Sequence, residues 1–228
     1  AIRTISDFDA LVSRFGPDPS ALTGVIRIVA SSTPAEYLIP ALVSEFTQAH
    51  TGISVEVLVA DSAQVARTLG DRQADLGLSG MPSSPVGYST ISMAKDEVVL
   101  AVSSNHRFAD QRSITIDQLR DENIIEREGG SGTWQTVVHS LSAAGIELPE
   151  HKASMTLGST QAVVAAVGQN LGVGFVSNNA VASHGTKVVA VRIDGLSLER
   201  DLSLVYETGR VRGRHTQAFI DFAETKSS

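Results

Sequence analysis

The sequence predicts an α/β protein made of two similar, doubly wound lobes. Three observations carry this expectation: short apolar strands alternate with amphipathic helical stripes, the same order of elements returns about 100 residues further on, and glycines and small hydroxyls punctuate the junctions. From Gly24 the chain reads as a strand (Val25 to Ala30), a polar turn Ser31-Ser32-Thr33, and a helix opened by Pro34. Thr33 and Glu36 have capping-box spacing, and Ile39, Leu42, Val43 and Phe46 recur at helical spacing before Gly52. A second strand, Ile53 to Ala60, leads through Asp61-Ser62 into a helix ending near Leu69 and Gly70. A short strand then runs from Ala74 to Ser79-Gly80.

The second half repeats this order. A strand from Asn123 to Arg127 enters the turn Glu128 to Thr133, and the helix that follows carries Trp134, Val137, Val138 and Leu141 before Gly145. A strand from Ala153 to Leu157 leads into Gly158-Ser159 and a helix through Val167. Gly168 to Ser177 then echoes Gly70 to Ser79, down to the terminal serine. Strand–helix alternation predicts parallel sheets with right-handed crossovers. The apolar strand Val98 to Val102 leaves the first lobe and Leu202 to Tyr206 returns to it, so the chain crosses twice and a hinge and a cleft are expected. The expected division is lobe I at 21–101 and 207–228, lobe II at 102–206, and a preceding helical stripe at 1–20 built on Ile5, Phe8, Leu11, Val12 and Phe15.

Composition excludes several functions. The chain has 228 residues, 42% of them hydrophobic, which is enough for cores and speaks against disorder. Its net charge of −7 is the wrong sign for a surface that displaces counterions from phosphates. The one basic cluster, Arg210, Arg212 and Arg214, lacks interleaved aromatics and reads as a solvated loop, with a minor anion contact as the functional alternative. Without cysteine there is no disulfide framework or thiolate metal site, and the six histidines never fall at metal-ligand spacing, so no metal is expected. No apolar run is long enough for a membrane span, and the first residues lack the pattern of a signal peptide.

In open α/β sheets ligands sit beyond the carboxyl ends of the strands, where helix N-termini offer unpaired N–H groups. Here those ends carry Ser31, Ser32, Thr33, Ser62, Ser79, Ser131, Thr133, Ser159 and Ser177, with Gly80, Gly129, Gly130 and Gly132 permitting close approach. The simplest role for Thr33, Ser62 and Ser159 is helix capping, contributing about 1 kcal/mol each, and it suffices for Ser62 and Ser159. The runs Ser31 to Thr33 and Gly129 to Thr133 hold more hydroxyls and glycines than a cap uses, and read as ligand loops for a small anion or carboxylate. Ser79 and Ser177 fit either role.

Catalytic motifs fail. Gly129-Gly130-Ser131-Gly132 nears G-x-S-x-G, but Thr133 stands where the last glycine belongs, and Gly172-Val173-Gly174 enters a strand where a dinucleotide turn enters a helix. Glu126, Glu128, Asp61 and Asp75 have no spacing that marks an acid–base pair, and Trp134 reads as core. No enzyme activity and no cofactor are expected.

Taken in order, several local signatures resemble the effector-binding region of LysR-type transcriptional regulators over residues 21 to 225. They are Gly24-Val25-Ile26-Arg27-Ile28, Ile39-Pro40 followed by Phe46, Ala74-Asp75-Leu76-Gly77-Leu78, Val99 to Val102 with Asn105-His106, Ile116-Asp117-Gln118-Leu119, Glu128 to Thr133, and Gly168 to Gly174 before Phe175-Val176-Ser177. The resemblance implies a fold like the type 2 periplasmic solute-binding proteins, an inducer in the interlobe cleft, a homodimer with higher assembly in the full protein, and a cytoplasmic location. It places ligand contacts at Ser31, Ser32, Thr33, Ser79, Gly80, Ser131, Gly132 and Thr133, with Ser177 and Asn178 after them. It also implies that DNA is bound by a winged helix-turn-helix preceding this chain, with residues 1–20 as the tail of its linker helix. Trp134 stands where many relatives carry a basic residue, so a small oxyanion or weakly charged metabolite is expected in preference to a dicarboxylate. The alternative on the same cleft physics is an exported solute-binding protein that delivers a small anion to a transporter.

Overall fold

Strand β1 (Thr23–Ser31) alternates little and ends in buried residues, as a strand covered on both faces should. The structure, a computed structural model, describes residues 22–80, 86–149 and 152–227, so the helical stripe expected over 1–20 lies outside the described residues. After β1 the helix expected as one piece is split into α1 (Ser32–Tyr37) and α2 (Ile39–Ala49). The break falls at Leu38 because Pro40 has no N–H to give the preceding turn and disfavours helical geometry just before it. Then come β2 (Gly52–Ala60), α3 (Ser62–Gly70), β3 (Leu76–Ser79), β4 (Tyr88–Ser103), β5 (Ser113–Ile114), β6 (Asn123–Arg127) and α4 (Gly132–Ala143). They are followed by β7 (Lys152–Leu157), α5 (Thr160–Gly168), β8 (Gly174–Ser177), α6 (Asn178–Ala182), β9 (Val188–Ile193), β10 (Glu199–Glu207) and α7 (Arg214–Lys226). Among the described residues, no helix is long and apolar enough to cross a membrane.

The chain divides into two compact units, one running to Ala94 and resuming at Asp201, the other spanning Lys95–Arg200. The divisions fall inside β4 and β10. In the first unit the strand order is β2-β1-β3-β10-β4, with β1 parallel to β2 and β3, and β10 antiparallel to β3. One face buries Ile26, Ile28, Leu76, Leu78 and Leu204 against Phe46 of α2 and Phe219 and Ile220 of α7. Phe46 meets Phe219 edge-on with ring centroids 4.9 Å apart. The other face packs Val29 and Val205 against Val65 and Leu69 of α3. Helices on both faces make this unit doubly wound.

In the second unit β4 pairs antiparallel with β8 and β9, β9 parallel with β5, and β6 parallel with β7. Ile124 bridges to Val173, which joins β6 to the segment entering β8. The core gathers Leu100, Val102, Ile124, Val137, Leu141, Phe175 and Val191. The repeat read in the sequence is realised here: β6 with α4 mirrors β1 with α1 and α2, β7 with α5 mirrors β2 with α3, and β8 mirrors β3.

Three expectations need correction. The sheets are mixed rather than purely parallel, because strands that carry the chain out of a unit and back into it run against their neighbours. The helix start assigned to Asp61-Ser62 is capped by Asp61, whose carboxylate accepts from the Gln64 amide at 2.6 Å, while the buried Ser62 hydroxyl has no hydrogen-bond partner among the described residues. Ser159 does cap α5, accepting from the Ala162 amide at 3.1 Å. Thr33 lies inside α1, whose N-cap is Ser31.

Gly172 shows where the second unit has no room for a side chain. A Cβ there would stand 2.3 Å from the backbone oxygen of Asn123, which must stay in place because it accepts from the Val173 amide at 2.9 Å. Gly172→Ala is expected to lower unfolding free energy by about 2 kcal/mol or more, whereas Gly158→Ala, at an open position, changes it by less than about 0.5 kcal/mol. Urea unfolding of the two variants checks the contrast.

Candidate functional site

In the first unit the hydroxyls gather because neighbouring parallel strands end together. Ala30 of β1 is in register with Leu78 of β3, so Ser31 and Ser79 stand abreast at the carboxyl edge, and Ser32 and Thr33 open the helix that leaves it. All four are buried, as is Gly80. A strand end beside a helix N-terminus is the arrangement that receives anions in such sheets.

The second unit builds its polar interior around an ion pair. Asp96 on β4 and Arg200 at the start of β10 are buried, their side chains 0% and 4% exposed. Arg200 donates to Asp96 Oδ2 from Nε at 2.8 Å, with Nη2 2.7 Å from the same oxygen. Asp96 Oδ1 accepts from the Ser177 hydroxyl at 2.5 Å and from the Asn179 side-chain amide at 3.3 Å. The remaining Nη1 of Arg200 donates to Thr133 Oγ1 at 3.1 Å. Thr133 and Ser177, predicted from two separate strand ends, are thus joined through one carboxylate and one guanidinium. Asn178 is exposed, and it is Asn179 whose side chain enters the network.

A second buried guanidinium lies close by. Arg127, at the end of β6, binds Glu128 through both Nε (2.8 Å) and Nη2 (2.7 Å) and donates to the Leu157 carbonyl and the Thr160 hydroxyl. Burial pushes the Arg200 guanidinium pKa down, Asp96 opposes that, and the Arg127 cation adds to the downward push. Two cations and two carboxylates make the cluster neutral, yet the guanidiniums are fixed in place by neighbours on several elements.

This geometry sets the direction of the Thr133 hydroxyl. Because its oxygen accepts from Arg200, its own proton is left to donate to another acceptor. Ser131 caps α4 by accepting from the Trp134 amide at 3.4 Å, so the earlier amides of Gly132 and Thr133 lie in the first turn, where no intrahelical partner exists. The loop therefore presents backbone and hydroxyl donors at a helix dipole's positive end. Trp134 packs against the second unit's core, its ring centroid 6.4 Å from that of Phe175.

Arg127, Asp96 and Arg200 are the residues that reading the sequence missed. Arg127 left a signal, since it stands two positions after Ile125 on one strand and so shares that residue's buried face. Asp96 and Arg200 pair across 104 positions, and no local pattern announces such a pairing.

The fold defines a class: a two-unit α/β domain of the type 2 periplasmic-binding-protein kind. Within that class the chain belongs to the LysR substrate binding domain family, whose model matches residues 19–228. It is 33% identical over 205 residues to the phosphonates import ATP-binding protein PhnC of Anaeromyxobacter dehalogenans, covering 89% of this chain and 41% of that protein. It is 32% identical over 154 residues to an uncharacterized HTH-type transcriptional regulator of Methanocaldococcus jannaschii, covering 68% of this chain and 52% of the regulator. The chain thus spans about half or less of the length of these two relatives. Among solved structures, the CcmR regulatory domain of Synechocystis in complex with 2-PG superposes with a TM-score of 0.81 at 24% identity, over 90% of this chain and 98% of that one.

Removing Arg200 leaves a buried carboxylate without its counter-charge. Arg200→Met is expected to destabilise the chain by about 3–5 kcal/mol, and Arg200→Met combined with Asp96→Leu to recover at least about half of that loss. A double-mutant cycle by urea unfolding measures both.

Proposed function

We propose that this chain is the effector-sensing part of a LysR-type, DNA-binding transcriptional regulator and that its effector is a small anionic metabolite or oxyanion. The observation that carries the reading is the Arg200–Thr133 hydrogen bond, which turns the Thr133 hydroxyl into a donor at the N-terminus of α4. Ligand contacts are assigned to Ser31, Ser32, Thr33, Ser79 and Gly80 in the first unit and to Ser131, Gly132, Thr133, Ser177 and Asn178 in the second. Thr133 acts with the guanidinium behind it, whereas Ser177 is held by the Asp96 carboxylate. A relative named for the import of phosphonates, which are oxyanions, supports the ligand class. The chain's role is binding and not catalysis, it works in the cytoplasm, and DNA contact belongs to another part of the regulator, consistent with a net charge of −7 here.

A homodimer completes the reading. β2 closes the strand order at one end of the first unit's sheet, and its consecutive residues Val57, Leu58 and Val59 are 40%, 53% and 58% exposed. An edge strand with apolar side chains on both faces needs a cover, and a second copy of the chain supplies one. The effector then acts by population shift, favouring one arrangement of the dimer and so the spacing of its DNA-binding parts.

The ligand claim is tested by thermal unfolding against a panel of small anions and carboxylates. An effector at about 100 times its Kd is expected to add roughly 2.7 kcal/mol, and Ser31→Ala or Thr133→Ala to remove that gain. Absence of stabilisation by every compound defeats the ligand class. For the assembly, light scattering after size exclusion is expected to give a dimer that Leu58→Lys converts to monomer; a monomer before substitution removes the dimer from the reading.

A further inference from the structure

The three arginines read from the sequence as a solvated loop do something else in the structure. They line a cavity of about 350 Å³ in the first unit, beside the N-terminal end of α7. Gln217 and Asp221 of α7 complete the polar wall, and Leu22 and Ala218 form the apolar part. The Arg210 side chain is only 9% exposed and Arg212 is half-buried, so neither is a freely solvated loop charge. Three guanidiniums against one carboxylate leave the lining with a formal charge of 3 − 1 = +2.

Of the neighbouring acids, Glu207 pairs at 3.2 Å with Arg72, an arginine outside the cavity, and Asp221 bonds within α7, accepting from the Gln217 side chain at 2.8 Å. Asp75 accepts from the Arg27 amide at 3.0 Å and pairs with Arg210 at 3.7 Å. Arg210 pins the loop to the start of β3 through the Ala74 carbonyl. Arg212 lies over the Tyr206 ring, 4.8 Å from its centroid, and donates to the Glu207 carbonyl from Nη2. Its Nε is buried and without a hydrogen-bond partner among the described residues. Burial pushes the Arg212 pKa down and the nearby Arg210 cation adds to that push, while Tyr206 and Glu207 oppose it.

The helix that borders the cavity points the same way. α7 has 13 residues, a glycine N-cap with no side-chain cap bond, no acid in its first turn, and Arg214 as its first residue. A cation there opposes the helix dipole, a local conflict that an anion in front of the first turn reverses. The end of the helix is also held in place, because the His215 ring fills the space beside Gly24 and Gly213, where an added Cβ would stand 2.9 and 2.5 Å from it.

We infer that this cavity is a second anion site, independent of the hydroxyl-bearing strand ends, and that it takes a small phosphate-type oxyanion between Arg212, Arg214 and the first turn of α7. Guanidinium forks match the paired oxygens of such a group. The cavity's volume admits a phosphorylated small molecule as well as the free ion.

The test is a titration of inorganic phosphate into the isotope-labelled chain at fixed ionic strength, following the backbone amide signals of Arg214, His215 and Thr216. Saturable shifts are expected, unmatched by chloride, kept in Thr133→Ala, and with a dissociation constant raised at least about tenfold by Arg212→Gln or by Arg214→Gln. Two separate variants guard against one failing to fold, which far-UV circular dichroism reports. Shifts that do not saturate, that chloride reproduces, or that both variants leave unchanged overturn the site. Because the signals followed belong to α7, a failed effector screen at Ser31 and Thr133 leaves this result standing, and the reverse also holds.

Discussion

A carboxylate and a guanidinium shut away from water at Asp96 and Arg200 govern the second unit. Neither charge is tolerable alone in that interior, where an unpaired ion is penalised by several kcal/mol, so each fixes the other. The pair then fixes more: one carboxylate oxygen takes the Ser177 hydroxyl, and the last guanidinium nitrogen takes Thr133. Strand β4, strand β10, the N-terminus of α4 and the end of β8 are locked together by four polar groups. That constraint converts hydroxyls on separate loops into oriented donors and acceptors.

Orientation matters because a hydroxyl has one proton and two lone pairs, and its partner decides which it shows to a ligand. Ser177 gives its proton to Asp96 and accepts from the Asn179 amide, so it is largely consumed by the frame. Thr133 accepts from Arg200 and keeps its proton to give. Two residues of similar type at corresponding strand ends therefore have different capacities. In the first unit Ser31 and Ser79 are set abreast by strand register.

Charge is also distributed against the average. A chain with a net charge of −7 places buried guanidiniums at Arg127 and Arg200 and three more around one cavity of the first unit. A net charge says nothing of where individual cations stand: Arg127 and Arg200 are each paired with a carboxylate in the second unit, while three arginines line one cavity of the first. Reading net charge alone would miss them.

The sequence by itself determined the alternation of elements, the internal repeat and the family. Apolar periodicity, cap residues and glycines act over a few positions, so β1, β2, β6, β7 and the helices after them were legible within a residue or two. The hydroxyl loops were legible for the same reason, since each lies at a junction that local chemistry marks. β9 was missed because a short apolar run such as Val188 to Val191 does not tell strand from helix, and β4 before Val98 because the polar residues Ser89, Lys95, Asp96 and Glu97 break its apolar pattern. Only the tertiary structure decided that Asp96 meets Arg200, that Asn179 and not Asn178 reaches Asp96, and that Arg210, Arg212 and Arg214 line a cavity. Those outcomes depend on burial and on groups brought together from distant positions, and desolvation acts on the folded neighbourhood, which no stretch of sequence displays.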